Sequence, residues 1–147
     1  MHILFGIARV LLVLIFVLSG AMKLIDIPGT AAQIQSVVTI PDVLQDFVTQ
    51  AETATGMKWP QLLAIIAGVV EVVGGLLVAF NIATRAAATV LVLFTLVVTY
   101  YFHAFWNMSG EAMQNNMVHA LKNLSGVGGL LTYVVLGSWR PMRSNQI

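Results

Sequence analysis

Glu71 is an acidic residue in the middle of the apolar stretch Pro60–Phe80, which carries no other charge. A carboxyl group in such a position could take part in chemistry inside the membrane. A carboxylate near the centre of a membrane span costs at least about 2.5–3.5 kcal/mol unless it finds a partner or a wet cavity. At 1.5 Å per residue, Glu71 lies roughly 14 Å from the inner end of its helix, and Arg9 lies roughly 9 Å from the same side. An arginine side chain can bridge that difference, so the sequence predicts a buried Arg9–Glu71 ion pair.

Such a pair could transfer protons, which is its functional interpretation. We favour a structural role, because lone buried ion pairs often only specify how helices pack. In a further alternative, Arg9 extends to the inner membrane surface and Glu71 carries a proton.

A second group of polar side chains converges at the predicted outer face. His119 lies three residues before Lys122 and four before Asn123, so these side chains share one side of a helix. Donors of this kind suit a carbonyl, a quinone head group, a phosphate or a carboxylate. The alternative is that the lysines and the tryptophan only occupy the membrane interface. The predicted cofactor-binding group is Lys23, His103, Trp106, Asn107, His119, Lys122 and Asn123.

Other chemistries have little support in the sequence. There are no cysteines, which excludes thiolate nucleophiles, disulfide exchange and cysteine-ligated metal centres. A metal site from His103, Glu111 and His119 lacks a diagnostic spacing, so we predict none. No covalently bound cofactor is predicted, and quinone is the candidate for a bound one. No arrangement of residues identifies a catalytic residue, and no basic run favours nucleic acid.

The composition places these groups in a membrane protein. The 147 residues are 59% hydrophobic and only 9% charged, whereas soluble domains carry about a quarter charged residues. So little charge cannot cover the surface of a small water-soluble domain. We therefore predict a single domain, residues 1–147, that contacts the lipid bilayer.

The hydropathy pattern predicts an all-α fold, a four-helix transmembrane bundle. A turn at Asn81–Arg85 makes the second and third spans a hairpin. The long first outer loop, Asp26–Trp59, contains amphipathic helical segments, one with a capping box at Thr30 and another opened by Pro41. The predicted spans cover about residues 3–25, 60–80, 86–103 and 117–139.

The basic residues predict the orientation. Arg85 lies in the short turn and Arg140 and Arg143 lie in the tail, whereas the two longer loops are mostly acidic. The positive-inside rule then puts both termini in the cytoplasm of a bacterial-type inner membrane. A cleaved signal peptide ending at Ser19–Ala21 is the disfavoured alternative.

Four segments resemble DoxX-type membrane proteins. Arg9–Leu24 (R-V-L-L-V-L-I-F-V-L-S-G-A-M-K-L) is similar to their first helix, and Gly68–Leu77 (G-V-V-E-V-V-G-G-L-L) to their second. His103–Trp106 (H-A-F-W) and Leu121–Leu131 (L-K-N-L-S-G-V-G-G-L-L) resemble later signatures. The resemblance implies a four-helix protein of the cytoplasmic membrane with links to quinone-dependent oxidation and redox homeostasis. The family-like residues are Arg9, Ser19, Gly20, Lys23, Glu71, Gly75, His103, Trp106, Lys122 and Asn123.

Three functions compete on this basis. The first is a membrane subunit of a quinone-linked oxidoreductase or redox-homeostasis complex, which binds a quinone or lipid-like ligand at its outer face. It would act with a protein partner rather than as a stand-alone enzyme. The second is a non-enzymatic partner that assembles or stabilises another complex, and the third is a small transporter that uses the Arg9–Glu71 pair. Homo-oligomerisation is left open.

Overall fold

The structure is a computed structural model, and it describes residues 2–137. Those residues are mostly helical, with no strand among them, which confirms the predicted all-α class. Short 3-10 turns, Asp42–Leu44 and Phe105–Asn107, interrupt two of the connections. The α-helices are α1 (His2–Ile25), α2 (Ile27–Val37), α3 (Gln45–Thr55), α4 (Trp59–Ala79), α5 (Thr84–Phe102) and α6 (Gly110–Leu136).

The long helices pack as two pairs, α1 against α4 and α5 against α6. The tight turn between Ala79 and Thr84 joins the pairs by bringing α5 back along α4. Buried apolar side chains from all four helices meet in one cluster, which includes Val13, Val78, Leu91 and Leu130. We call the end of the bundle that carries α2, α3 and the Phe105–Asn107 turn the α2 end.

Three helical segments in the described range are long and apolar enough to span a membrane: Ile3–Ile25, Trp59–Ala79 and Thr84–Asn107. They coincide closely with the first three predicted spans. The fourth candidate, α6, has 27 residues and is therefore about 40 Å long, but its first half carries Glu111, Lys122 and several amides. The fourth span stays a prediction, and its predicted end at Trp139, like Arg140 and Arg143, lies outside the described residues.

The long connection contains the two helical segments that its apolar spacing predicts. However, α2 begins at Ile27 rather than after Thr30, so the predicted capping box is wrong. Asp26 is the cap instead, because its Oδ1 accepts a hydrogen bond from the Gly29 backbone N–H at 2.9 Å and a proline occupies the first turn. The second segment begins after Pro41 and ends at Gly56, whose φ of 69° is the left-handed conformation usual at a helix C-terminus.

Candidate functional site

Two glycines set the register between α1 and α4. A Cβ atom added to Gly20 would lie 2.7 Å from the Gly68 carbonyl oxygen, and one added to Gly68 would lie 2.9 Å from the Gly20 carbonyl oxygen. Neither position therefore has room for a side chain, and the two backbones approach as closely as helices in membranes do at small residues. Further along the same contact, Gly75 packs against Val17. This antiparallel register brings the last turns of α1 beside Glu71.

Glu71 is held by a lysine and a serine of α1. Lys23 Nζ donates to Glu71 Oε2 at 2.7 Å and to Ser19 Oγ at 2.6 Å, and Ser19 Oγ lies 3.4 Å from Glu71 Oε1. The side chains of Lys23 and Glu71 are 24% and 7% exposed. Side chains in an α-helix lean towards its N-terminus. Since α1 and α4 are antiparallel, Lys23 leans back along α1 while Glu71 leans towards the α2 end, and the two charges meet.

The predicted Arg9–Glu71 pair is wrong. At 1.5 Å per residue, Lys23 lies about 21 Å further along α1 than Arg9, so the register that places Lys23 at Glu71 leaves Arg9 near the opposite end of the bundle. Arg9 is nevertheless buried, with 5% of its surface exposed. Its guanidinium carbon lies 5.2 Å from the ring centroids of both Phe5 and Tyr133, which is cation–π distance. Its Nε donates to no acceptor within residues 2–137.

A cavity of about 570 Å³ opens beside the Lys23–Glu71 pair. Helices α4 and α5 form its back, α1 and α6 form its sides, and α2 lies over its end. Its volume falls within the range of small-molecule sites, which are mostly apolar with a few placed polar groups. Its apolar lining includes three phenylalanines, Phe16, Phe94 and Phe102. Its polar lining is Ser19, Lys23, Asp26, Thr30, Gln33, Glu71, Thr95, His103, Lys122 and Asn123.

Four members of the predicted cofactor-binding group line this cavity: Lys23, His103, Lys122 and Asn123. His119 does not line the cavity but contacts two of these residues. Its ring stacks on His103 with centroids 5.2 Å apart, and Lys122 Nζ lies 3.5 Å from its Nδ1. The structure thus brings these five side chains from three helical segments to one place, while their role in binding stays a prediction.

The other two members of the group lie away from the cavity. Trp106 and Asn107 belong to the 3-10 turn after α5, and both are exposed. The Trp106 ring packs against Tyr100 with centroids 5.8 Å apart and against Phe105. This placement matches the alternative in which the tryptophan belongs to an aromatic belt at the interface.

The predicted cofactor-binding group omitted the threonines of α5, and it omitted Ser19, which only the family resemblance had named. Thr95, Thr99 and His103 recur every four residues, which puts them on one face of α5. Asn123 Nδ2 donates to Thr99 Oγ1 at 3.0 Å, and Thr95 lines the cavity. Ser19 likewise lies four residues before Lys23. A search for polar side chains at helical spacing inside the apolar stretches would have found these residues.

Metal coordination finds no support in the described part of the chain. No group of three or more His, Asp or Glu side chains in it could hold a metal ion. His103 uses Nδ1 in a 3.1 Å contact with Asn116 Oδ1. That contact orients the ring of His103 within the stack with His119.

A second, shallower cavity of about 400 Å³ lies at the start of α5, at the opposite end of the bundle. Arg85 is its charged residue, and the Nη2 of that residue donates to the Val135 carbonyl oxygen at 3.1 Å. None of the predicted cofactor-binding residues lines this cavity. The predicted cofactor-binding residues that line a cavity all line the larger one.

Comparison with known proteins shows which family this chain resembles. A sequence model of the DoxX family matches residues 4–104, the range that contains Ser19, Lys23 and Glu71. The inner membrane protein YphA of Escherichia coli (strain K12) is 31% identical over 131 residues, which cover 89% of this chain and 81% of that protein. No solved structure matches the chain.

Proposed function

Because the chain belongs to the DoxX family of integral membrane proteins, we propose that its cavity at the α2 end holds the head group of a quinone and that the protein is a membrane subunit of a quinone-linked redox complex. The observation that carries the proposal is the Lys23–Ser19–Glu71 cluster, which lines a cavity that also contains three phenylalanine side chains. A buried, hydrogen-bonded charge pair is costly to maintain away from water. Placing it in the wall of a cavity gives it a role beyond packing.

The donors around the cavity suit a quinone. An ammonium group has three N–H donors, and Lys23 spends two of them on Ser19 and Glu71. Its third donor remains for a ligand carbonyl. Lys122 and Asn123 line the wall that α6 forms, so donors are available for the second carbonyl of the ring. The phenylalanine rings of the lining supply flat apolar contact for the quinone ring.

The source of electrons lies outside this chain in our proposal. The sequence has no cysteine, so it cannot deliver electrons through a dithiol. A bound quinone would supply the redox chemistry, and the protein would bind and orient it. We therefore assign the electron donor to a protein partner and describe this chain as a subunit rather than a stand-alone enzyme.

The inner membrane is the proposed location, as for the relative from Escherichia coli. We propose that the α2 end faces outwards and that both termini are cytoplasmic. Arg85, in the first turn of α5 at the opposite end, supports this orientation by the positive-inside rule. The quinone head group would then lie in the outer half of the bilayer.

A binding titration tests the proposal. The purified protein in lipid nanodiscs would be titrated with a short-chain benzoquinone, and saturable binding is expected. Lys122→Met should weaken binding about tenfold or more, because a hydrogen bond from a charged donor contributes about 1.5–3 kcal/mol. This substitution should leave the fold intact, because Lys122 is exposed and pairs with no carboxylate in the described range.

Lys58→Met is the matched control, because Lys58 is a lysine at the same end of the bundle that does not line the cavity. It should bind quinone like the wild type. Absence of saturable binding to the wild type would contradict the proposal. Equal affinity in the Lys122 and Lys58 variants would contradict the placement of the head group.

A further inference from the structure

Helix α1 packs on α4, α4 on α5 and α5 on α6, whereas α1 and α6 barely touch, so the cavity is least enclosed between α1 and α6. These helices touch near the opposite end, where Arg9 lies against the Tyr133 ring and Leu12 lies against Gly129. Beyond Leu12 they separate, and the cavity occupies the space between them, with Ile15 and Met22 on one side and Gly126 on the other. Helices α4 and α5 close the back, so the gap between α1 and α6 is the lateral opening.

The α1 side of this opening is apolar and exposed. Ile15 and Met22 belong to the candidate membrane span Ile3–Ile25 and are 43% and 65% exposed. At the α2 end of the bundle, α2 lies over the end of the cavity and lines it with Thr30 and Gln33. With this span in the bilayer, the apolar side of the opening would be in contact with lipid.

We propose that the gap between α1 and α6 is a lateral portal for a ligand that has a polar carbonyl head and an apolar tail. The head lies at Lys23 and the tail leaves the cavity between Ile15 and Gly126 into the bilayer. This inference rests on the proposed head-group site, and it adds the route of entry and the need for a tail. A water-soluble ligand would not need an opening in this position.

Gly126 is the residue of α6 that keeps the portal wide. A Cβ added at this position would meet no atom within 4 Å, so a larger side chain has room and would extend into the gap. Gly128 offers a matched control, because it also has no atom within 4 Å of an added Cβ, but it does not line the cavity. Both glycines lie in the interior of α6, so the effect of leucine on helix propensity is the same at each.

The experiment compares two probes, a decyl-tailed benzoquinone and the same benzoquinone without the tail, on the protein in nanodiscs. Gly126→Leu should weaken binding of the tailed probe about tenfold or more, because forcing a tail past a filled gap is comparable to overpacking a core. Binding of the probe without a tail should change less than about twofold. Gly128→Leu should leave both affinities unchanged.

The portal and the head-group site fail in different ways. If Gly126→Leu affects neither probe, or weakens both equally, the portal is overturned while the head-group site stands. If the wild type binds neither probe, the proposed function fails and the portal with it. Ile15→Trp gives an independent test from the other side of the gap, with Leu14→Trp as its control, since Leu14 is similarly exposed but does not line the cavity.

Discussion

Lys23→Met should destabilise the protein by about 2–3 kcal/mol. The ion pair joins Lys23 Nζ and Glu71 Oε2 at 2.7 Å, which corresponds to about 6 kcal/mol of attraction at an effective dielectric constant near 20. Desolvation cancels part of that attraction, and removing one partner of a buried pair typically costs about 3–5 kcal/mol. Because about a quarter of the Lys23 side chain is exposed, we place the expected loss below that range.

The measurement is reversible unfolding by SDS in mixed micelles, with a double-mutant cycle that adds Glu71→Gln. The double variant should recover at least about 1 kcal/mol relative to Lys23→Met, because the carboxylate that lacks a partner is then gone. Lys58→Met serves as an exposed comparison. Lys58 Nζ lies 3.5 Å from Glu52 Oε2 with 81% of the lysine side chain exposed, and such pairs contribute about 0–1 kcal/mol.

Two results would refute this reasoning. If Lys23→Met cost no more than Lys58→Met, Glu71 would not depend on Lys23 for compensation. If the two substitutions at the buried pair were additive in the cycle, the side chains would not be coupled, whatever the distance between them.

Two further predictions concern packing. Gly20→Ala should destabilise the protein by about 1–3 kcal/mol, since the added methyl would meet the Gly68 carbonyl oxygen at 2.7 Å. Gly6→Ala, with no atom within 4 Å of the added methyl, should be neutral or stabilising by up to about 1 kcal/mol, and equal unfolding free energies for the two variants would count against the glycine contact. Arg9→Lys should cost about 1 kcal/mol in the same unfolding assay, because lysine lacks the planar guanidinium group that lies at cation–π distance from two aromatic rings. Unchanged stability would show that the rings do not hold the guanidinium.

The polar residues of the site were only partly predictable. Lys23, His103, Lys122 and Asn123 follow from the sequence because each lies near one predicted end of an apolar segment, and those ends meet in any bundle of these spans. Ser19 and Thr95 lie deeper in their helices, where a hydroxyl is commonly satisfied by its own backbone. Thr95 does donate to the Leu91 carbonyl oxygen at 2.6 Å, so its place in the cavity depends on which way α5 faces.

The partner of Glu71 shows most clearly where sequence reasoning fails. A carboxylate inside an apolar stretch requires compensation, and that expectation is confirmed by its ion pair. The choice of Arg9 rested on counting residues from the predicted ends of two spans, as if both helices began at the same depth. The contact between Gly20 and Gly68 fixes a different register of α1 along α4. In that register Lys23, and not Arg9, lies beside Glu71.

By itself, the sequence determined that the chain is helical, that it contains membrane spans, and that one buried acid must find a partner, because hydropathy and the cost of an unpaired charge are properties of local composition. Only the tertiary structure decided which cation forms an ion pair with that acid and where a cavity lies in the bundle. Those outcomes depend on the axial register and rotation of neighbouring helices, which close contacts between a few small residues set across the bundle.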